Sequence, residues 1–376
     1  MAKTAAEETI FDVPRLSAFG SRLLARHGNA LAKLASLESR FLDEQIDTID
    51  ISQPIFVCGL ARSGTTVLLE MLSHHPDTAS QRYLDYPFVF TPYWWNRFVG
   101  LAARKPPELG ERSHKDGLMV SAESPEAMEE PLWMHFFSDC HDASTSNVMD
   151  HETSNAEFEG FYKKHMAKLL MVRDRSRYLA KGNYHIARIG YLHKLFPDAR
   201  FVIPVRDPAM HIASSMKQHK LFAEGQQQSS DARLYLAQIG HYEFGLDRSP
   251  INIDRDQTEE IIGCWSDGEE VRGWALYWSM IHNHIADVVG NSTEIGEQTT
   301  LLSYKALCAD PADHCRMILS RCGLDNDDEM IDWAENNIHA QQYYKPSFSE
   351  QELQIIEDVT SPAYNRVKPL FQSHLG

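Results

Sequence analysis

The sequence has no apolar run approaching 18 residues, which excludes a transmembrane helix. Its opening stretch, MAKTAAEETIFDVPRL, lacks a basic region followed by an apolar run, so no signal peptide is expected. The six cysteines form no CxxC pair and no ligand-like cluster. Cys315 and Cys322 stand seven residues apart, the spacing of one helix face, and structural thiols in a reducing cytoplasm are the expectation. Positive charge is scarce: 36 Lys and Arg face 53 Asp and Glu, for a net charge of −17. That balance argues against a general nucleic-acid binder, whose affinity comes from cations neutralising phosphates. Internal repeats are absent, and composition carries no signal of oligomeric state.

What is present is ordinary globular material. Hydrophobic residues make up 43% of the 376 and charged residues 24%, and a core of this size needs no disulfide staples. Residues 14–45 read as one or two helices, with Leu16, Phe19, Leu23, Leu24, Leu31, Leu34, Leu37 and Phe41 at three- and four-residue steps and an interruption at Gly28-Asn29. Ile55-Phe56-Val57-Cys58-Gly59 is a buried-strand signal, followed by a helical pattern from Gly64 to His75-Pro76. Further strands are expected at 177–181, 201–205 and 300–304, each followed by a helix. Pro204 inside the third removes a ladder donor. Helices are expected near 125–137, 156–171 and 257–290, and the Gln/Ser-rich 224–232 reads as a loop. Alternating strands and helices imply an α/β fold, a parallel central sheet flanked by helices with helical insertions. Ligands in such sheets sit beyond the carboxyl ends of the strands.

The densest chemical signal is Gly59-Leu60-Ala61-Arg62-Ser63-Gly64-Thr65-Thr66, between the first strand and its helix. It has the glycine spacing and terminal hydroxyl of the nucleotide-binding pattern G-x-x-x-x-G-K-[ST], but Thr65 replaces the lysine. A loop of this kind aims backbone N–H groups and a helix N-terminus at one anion. Arg62 adds a cation. The third strand ends in Arg206-Asp207-Pro208 with Ser214 eight residues after Arg206, a guanidinium fork and a hydroxyl suited to a second phosphate.

PIFVCGLARSGTTVLLEMLSHHPD resembles the 5′-phosphosulfate loop of sulfotransferases that use 3′-phosphoadenosine 5′-phosphosulfate (PAPS), in its bacterial and Golgi-type forms, tyrosylprotein sulfotransferases included. FPDARFVIPVRDPAMHIASSM is similar to the family's 3′-phosphate motif, with Arg206 and Ser214 in register. The resemblance covers about 55–325 and is poor over 80–170 and 221–295. It implies a P-loop-like sulfotransferase domain over 51–376, with a helical segment at 1–50 and acceptor-side insertions at 83–170 and 221–295. It further implies that Ser63, Gly64, Thr65 and Thr66 hold the 5′-phosphosulfate, with Arg62 beside the transferring group. Lys181 matches the lysine that approaches the bridging oxygen, although Asn183 stands where proline is usual. Tyr304 matches a late Y-E-x-L element in which Lys305 replaces the acid, and Lys368 is the lysine expected to return from the tail.

The implied reaction is in-line attack on sulfur by an acceptor oxygen or nitrogen, with adenosine 3′,5′-bisphosphate leaving. Cations at the leaving oxygen then lower the barrier, which assigns catalytic roles to Arg62 and Lys181. No metal is required, because the leaving group is already a phosphate. A general base is needed. The family position that carries a glutamate is Tyr83 here, so Asp85 is the first candidate, followed by Glu129 and Glu130. Tyr93, Trp94 and Trp95 are a candidate platform for an acceptor ring, and Trp265, Trp274 and Trp278 read as core. A small-molecule, phenolic or sugar acceptor is expected, in the cytoplasm, with no nucleic acid. A P-loop kinase or NTPase, and a non-catalytic nucleotide-binding protein, remain alternatives. Residues 172–220 carry ten Lys and Arg against three Asp, so the acidic chain concentrates its cations where the bisphosphate is expected.

Overall fold

The computed structural model describes residues 13, 15–102, 110–111, 119–339 and 347–372. Seven strands occur among them: β1 (Ile55–Cys58), β2 (Thr78–Ala79), β3 (Gly110–Glu111), β4 (Met119–Val120), β5 (Arg177–Gly182), β6 (Arg200–Val205) and β7 (Thr299–Ser303). β3 and β4 form a small antiparallel ribbon. The other five make a parallel sheet in the order β2-β5-β1-β6-β7. Most of the polar stretch at 104–118 lies outside the described residues.

Strand periodicity divides the core into two layers. Ile55, Val57, Leu179, Val202 and Leu302 face one side, with Leu68, Met71 and Leu72 of the helix Thr65–Ser73 and the helices Pro311–Cys322 and Asp328–Asn337. Phe56, Cys58, Tyr178, Ala180, Phe201 and Ile203 face the other, against Trp133, Phe158, Tyr162 and Trp278. Alternate side chains of one strand point to opposite faces, so a sheet covered on both sides has to be apolar throughout. Pro204 is tolerated because the β1–β6 ladder stops at Val57↔Val202, leaving the proline past the end of pairing on that side.

The expected strands are all present; β2, two residues long, is too short to leave a periodic signal. The 224–232 loop is a correction. The helix Pro208–Gln228 runs through it and a second, Ser230–Gln238, starts at once, capped by the Ser229 hydroxyl on Ala232 N at 3.1 Å. Glutamine is a good helix former and serine a good N-cap, so polarity alone did not mean loop. The single helix at 257–290 is two, Arg255–Ser266 and Glu270–Asn291, broken where Gly268 takes φ +81°. The N-terminal helix Arg15–Phe41 bends at His27, one residue before the expected interruption. It is tied to the body by a fully buried pair: Lys168 Nζ donates to Glu38 Oε2 at 2.8 Å, and Glu38 Oε1 accepts from Trp94 N at 2.7 Å. The six cysteines are free thiols, five of them buried. No helix among the described residues is long and apolar enough to cross a membrane.

Candidate functional site

Four of the five parallel strands deliver a residue to the same rim. β1 leads into the Gly59–Thr66 loop, β5 ends with Lys181 and Gly182, β6 is followed by Arg206, and β7 by Tyr304. With β1 central and connections leaving to both sides, this rim is the switch point where open α/β sheets bind ligands.

The loop is held in a conformation that few residues adopt. Gly59, Arg62 and Gly64 have φ of +142°, +74° and +117°. A Cβ on Gly64 would fall 2.4 Å from the Tyr304 ring, so this position demands glycine for space as well as for backbone. Arg62 has no such freedom, and its left-handed backbone is strain that the surroundings must impose. They do so through its own carbonyl and the preceding one: Arg206 Nη1 donates to Arg62 O at 3.2 Å, and His211 Nε2 donates to Ala61 O at 2.8 Å. Burial holds the His211 pKa down at about 3, so the ring stays neutral and its Nε2–H is the donor. The Arg62 side chain reaches Ser214, with Nε donating to Oγ at 3.2 Å. The two phosphate motifs read separately in the sequence are therefore in direct contact.

Two features of the loop match an anion. The helix Thr65–Ser73 starts without any side-chain cap, leaving its first N–H groups for another acceptor. The Ser63 hydroxyl is buried with no hydrogen-bond partner. On the open side, Lys181 Nζ donates to Thr66 Oγ1 at 3.1 Å and lies 3.7 Å from Glu126 Oε1. Thus Arg62, Ser63, Gly64, Thr65, Thr66, Lys181, Arg206, Ser214 and Tyr304 form one constellation. Lys368 does not join it by any contact seen among the described residues; it is exposed, in a turn that follows the helix Glu350–Val367.

From the loop a cavity of about 300 Å³ runs under the insertions. Tyr83, Tyr86, Met128, Phe222, Tyr235 and Phe244 supply its apolar wall, and Glu126, Glu243 and His241 its polar groups. None of these was a candidate site residue in the sequence; Tyr83 stood out only as the place where an acid was missing. Glu126 accepts from Tyr83 OH at 2.6 Å.

Asp85, the first candidate base, is not among the cavity-lining residues. Its carboxylate accepts from Arg173 Nη2 at 2.8 and 2.7 Å, from Asn96 Nδ2 at 2.8 Å and from Arg82 N at 2.8 Å, with 1% of the residue exposed. Every lone pair is used in fixing the 82–96 segment. Glu129 and Glu130 touch the cavity but are committed elsewhere. Glu129 accepts from Tyr162 OH and His185 Nε2, each at 3.0 Å, and from Tyr178 OH. Burial alone would raise its pKa, but these donors outweigh burial and lower it. Glu130 takes both Arg188 nitrogens at 2.9 and 2.6 Å, which overcomes burial and holds it well below the usual carboxylate range. The aromatic platform is likewise elsewhere: Trp95 stacks on Phe88 at 4.2 Å and donates from Nε1 to Leu84 O, and Trp94 packs near Phe41.

These features define an α/β protein with a loop suited to an anion at the strand ends and a cavity opening beside it. Residues 54–263 match the sequence model of the sulfotransferase family, and the chain belongs to that family; it is a sulfotransferase enzyme. Solved structures similar to it include sulfotransferase STF9 from Mycobacterium avium, at 15% identity over 98% of this chain and 89% of that one, with a TM-score of 0.49. STF1 from Mycobacterium tuberculosis gives 15% identity over 93% and 82%, with a TM-score of 0.48. A sulfotransferase from Alicyclobacillus acidocaldarius gives 13% over 86% and 98%, at 0.41. No curated protein sequence matches the chain.

Proposed function

We propose that the enzyme transfers the sulfonate of PAPS to a hydroxyl carried on a small apolar or aromatic body, releasing adenosine 3′,5′-bisphosphate. The observation that carries this reading is the meeting of Arg62 and the Lys181–Thr66 pair with the mouth of an aromatic-walled cavity. Ser63 Oγ, the uncapped N–H groups after Gly64, and Thr66 hold the 5′-phosphosulfate; Arg206 and Ser214 hold the 3′-phosphate. Arg62 touches both groups, because its guanidinium already spans to Ser214.

In this reading the acceptor oxygen attacks sulfur from the cavity side, and the bond from sulfur to the bridging oxygen breaks on the loop side. Negative charge grows on that oxygen, where Arg62 and Lys181 stabilise it more in the transition state than before reaction. Glu126, 3.7 Å from Lys181, keeps the ammonium aimed at the loop. Apolar walls favour an acceptor with few hydroxyls, since a sugar would leave most of its polar groups unmatched. That narrows the small-molecule, phenolic or sugar acceptors expected from the sequence towards phenols and apolar alcohols.

The test is thermal stabilisation. Adenosine 3′,5′-bisphosphate at about 100 times its dissociation constant should add about 2.7 kcal/mol of stability, and ATP with Mg²⁺ should add little. A preference for ATP-Mg²⁺ would favour the kinase alternative and refute this one. Labelled PAPS offered with phenols and with monosaccharides then separates the acceptor classes.

A further inference from the structure

We propose that His211 is a positioning residue for the donor loop, and that one buried water in a small cavity beside it completes its hydrogen bonding. The effect on the donor rests on the sulfonate-transfer reading above; the water does not. His211 Nε2 meets the Ala61 carbonyl at 2.8 Å. A carbonyl can only accept, so Nε2 carries the ring proton. Burial, reinforced by the nearby His282, Arg206 and Arg62, keeps the imidazole neutral. Nδ1 is then an acceptor, and it is buried with no hydrogen-bond partner in the protein.

One helix turn grips Arg62 at two places. Asp207 caps the helix Pro208–Gln228 by accepting from Met210 N at 3.1 Å, and His211 N donates to Asp207 O at 2.8 Å. With the turn fixed in this way, Ser214 meets Arg62 Nε at 3.2 Å, and His211 holds the carbonyl just before Arg62. The φ of +74° at Arg62 is strained for any residue with a side chain. Without the His211 donor the loop can relax out of that conformation, and the donor must then restore it on binding.

A cavity of about 20 Å³ is lined by this helix and by Glu270–Asn291, with Ala61, His211, Ser215, Tyr277 and Trp278 in its wall. A water needs roughly 10–15 Å³ of such space, so one fits. The polar groups suit one as well. Trp278 Nε1–H is buried without an acceptor. Tyr277 OH accepts from Ile251 N at 3.2 Å, and its own proton meets no acceptor among the described residues. On the accepting side stand His211 Nδ1 and the hydroxyl of Ser215, one turn further along the same helix. Two donors and two acceptors are what a single water satisfies with its two lone pairs and two protons. By donating to Nδ1 the water also favours the Nε2–H tautomer that the Ala61 carbonyl requires.

Two measurements decide it. A crystal structure of the wild-type enzyme should show one water within hydrogen-bond reach of both His211 Nδ1 and Trp278 Nε1; a dry cavity overturns that part. Calorimetry with adenosine 3′,5′-bisphosphate, which needs no acceptor, tests the positioning. His211→Leu should weaken binding about ten- to a hundredfold, and His211→Gln, whose amide nitrogen can still reach Ala61 O, should recover it to within a few-fold of wild type. His211→Asn, polar but too short for that carbonyl, replaces the leucine variant in the comparison if the latter does not fold. Wild-type affinity in the leucine or asparagine variant, or no recovery in His211→Gln, overturns the positioning role. A histidine with a purely structural role would lower the unfolding midpoint and leave the affinity of the folded enzyme unchanged. Failure of the wild type itself to bind the bisphosphate would refute the sulfonate-transfer reading and the positioning role with it, and the water would still be judged by the crystal structure.

Discussion

The two ends of the site are built differently. The donor end is a single loop plus one residue from each of three neighbouring strands, all held by backbone geometry and short hydrogen bonds. The cavity beside it, the proposed acceptor end, is assembled largely from 83–86, 126–131 and 222–244, segments well separated along the chain. In the proposed reading the first end grips a fixed anion, so its chemistry has to recur at fixed spacing. The second, in the same reading, wraps a neutral body, and many sets of aromatic and aliphatic side chains can make such a wall. The difference teaches where charge is spent. Of the cations clustered at 172–220, Arg173 is paired with Asp85, Arg188 with Glu130, and Arg177 with three backbone carbonyls. Arg206 and Lys181 are those at the loop. A basic stretch of sequence thus divides between buried scaffold and the loop.

The sharpest test of that division is Asp85→Asn. The buried Arg173 then loses its counter-charge, and a loss of about 3–5 kcal/mol in unfolding free energy is expected, read by denaturant titration. Unchanged stability with abolished transfer would return Asp85 to the role of base and break the contrast between scaffold and site. Next in size, Arg62→Ala should lower turnover of labelled PAPS about 10²- to 10³-fold while leaving the unfolding midpoint near wild type. A comparable fall in stability would mean that the loop arginine is structural.

A third effect lies under the acceptor wall. Burial disfavours a charge on His141, but Cys140 and Glu130 outweigh it and lift its pKa to about 9. The folded value exceeds the ordinary 6.5, so the stabilisation is complete below pH 6.5 and is lost as pH rises through about 9. Stability should therefore decline over that window by up to about 3 kcal/mol, and His141→Gln should flatten the decline. The smallest effect expected is that of Phe222→Ala: about a tenfold rise in KM for 2-naphthol, with stabilisation by adenosine 3′,5′-bisphosphate unchanged. If bisphosphate binding weakened equally, the two ends would not be separable.

Much of the fold was legible because parallel strands buried on both faces leave continuous apolar runs, as at 55–58 and 201–205. The residues that meet at the loop were legible because Arg62, Ser63, Thr65 and Thr66 are adjacent in the chain, and Arg206 and Ser214 lie on one strand–helix unit. The pairing of Asp85 with Arg173 was not legible, because a carboxylate near a motif looks the same whether it meets a substrate or an arginine. Glu243 and His241, which both line the cavity, had no local signal beyond their i, i+2 spacing.

By itself, then, the sequence determined the strands, the glycine-rich loop and the placement of opposite charges along the chain, since each is written in residues adjacent in the chain. Which cations neutralise carboxylates, which face the loop, and which carboxylate and histidine share the acceptor cavity were decided by tertiary structure alone. Those pairings join residues as distant as Glu38 and Lys168 or Asp85 and Arg173. A buried charge is tolerated only when packing brings its partner to within hydrogen-bond reach, and packing is a property of the whole chain.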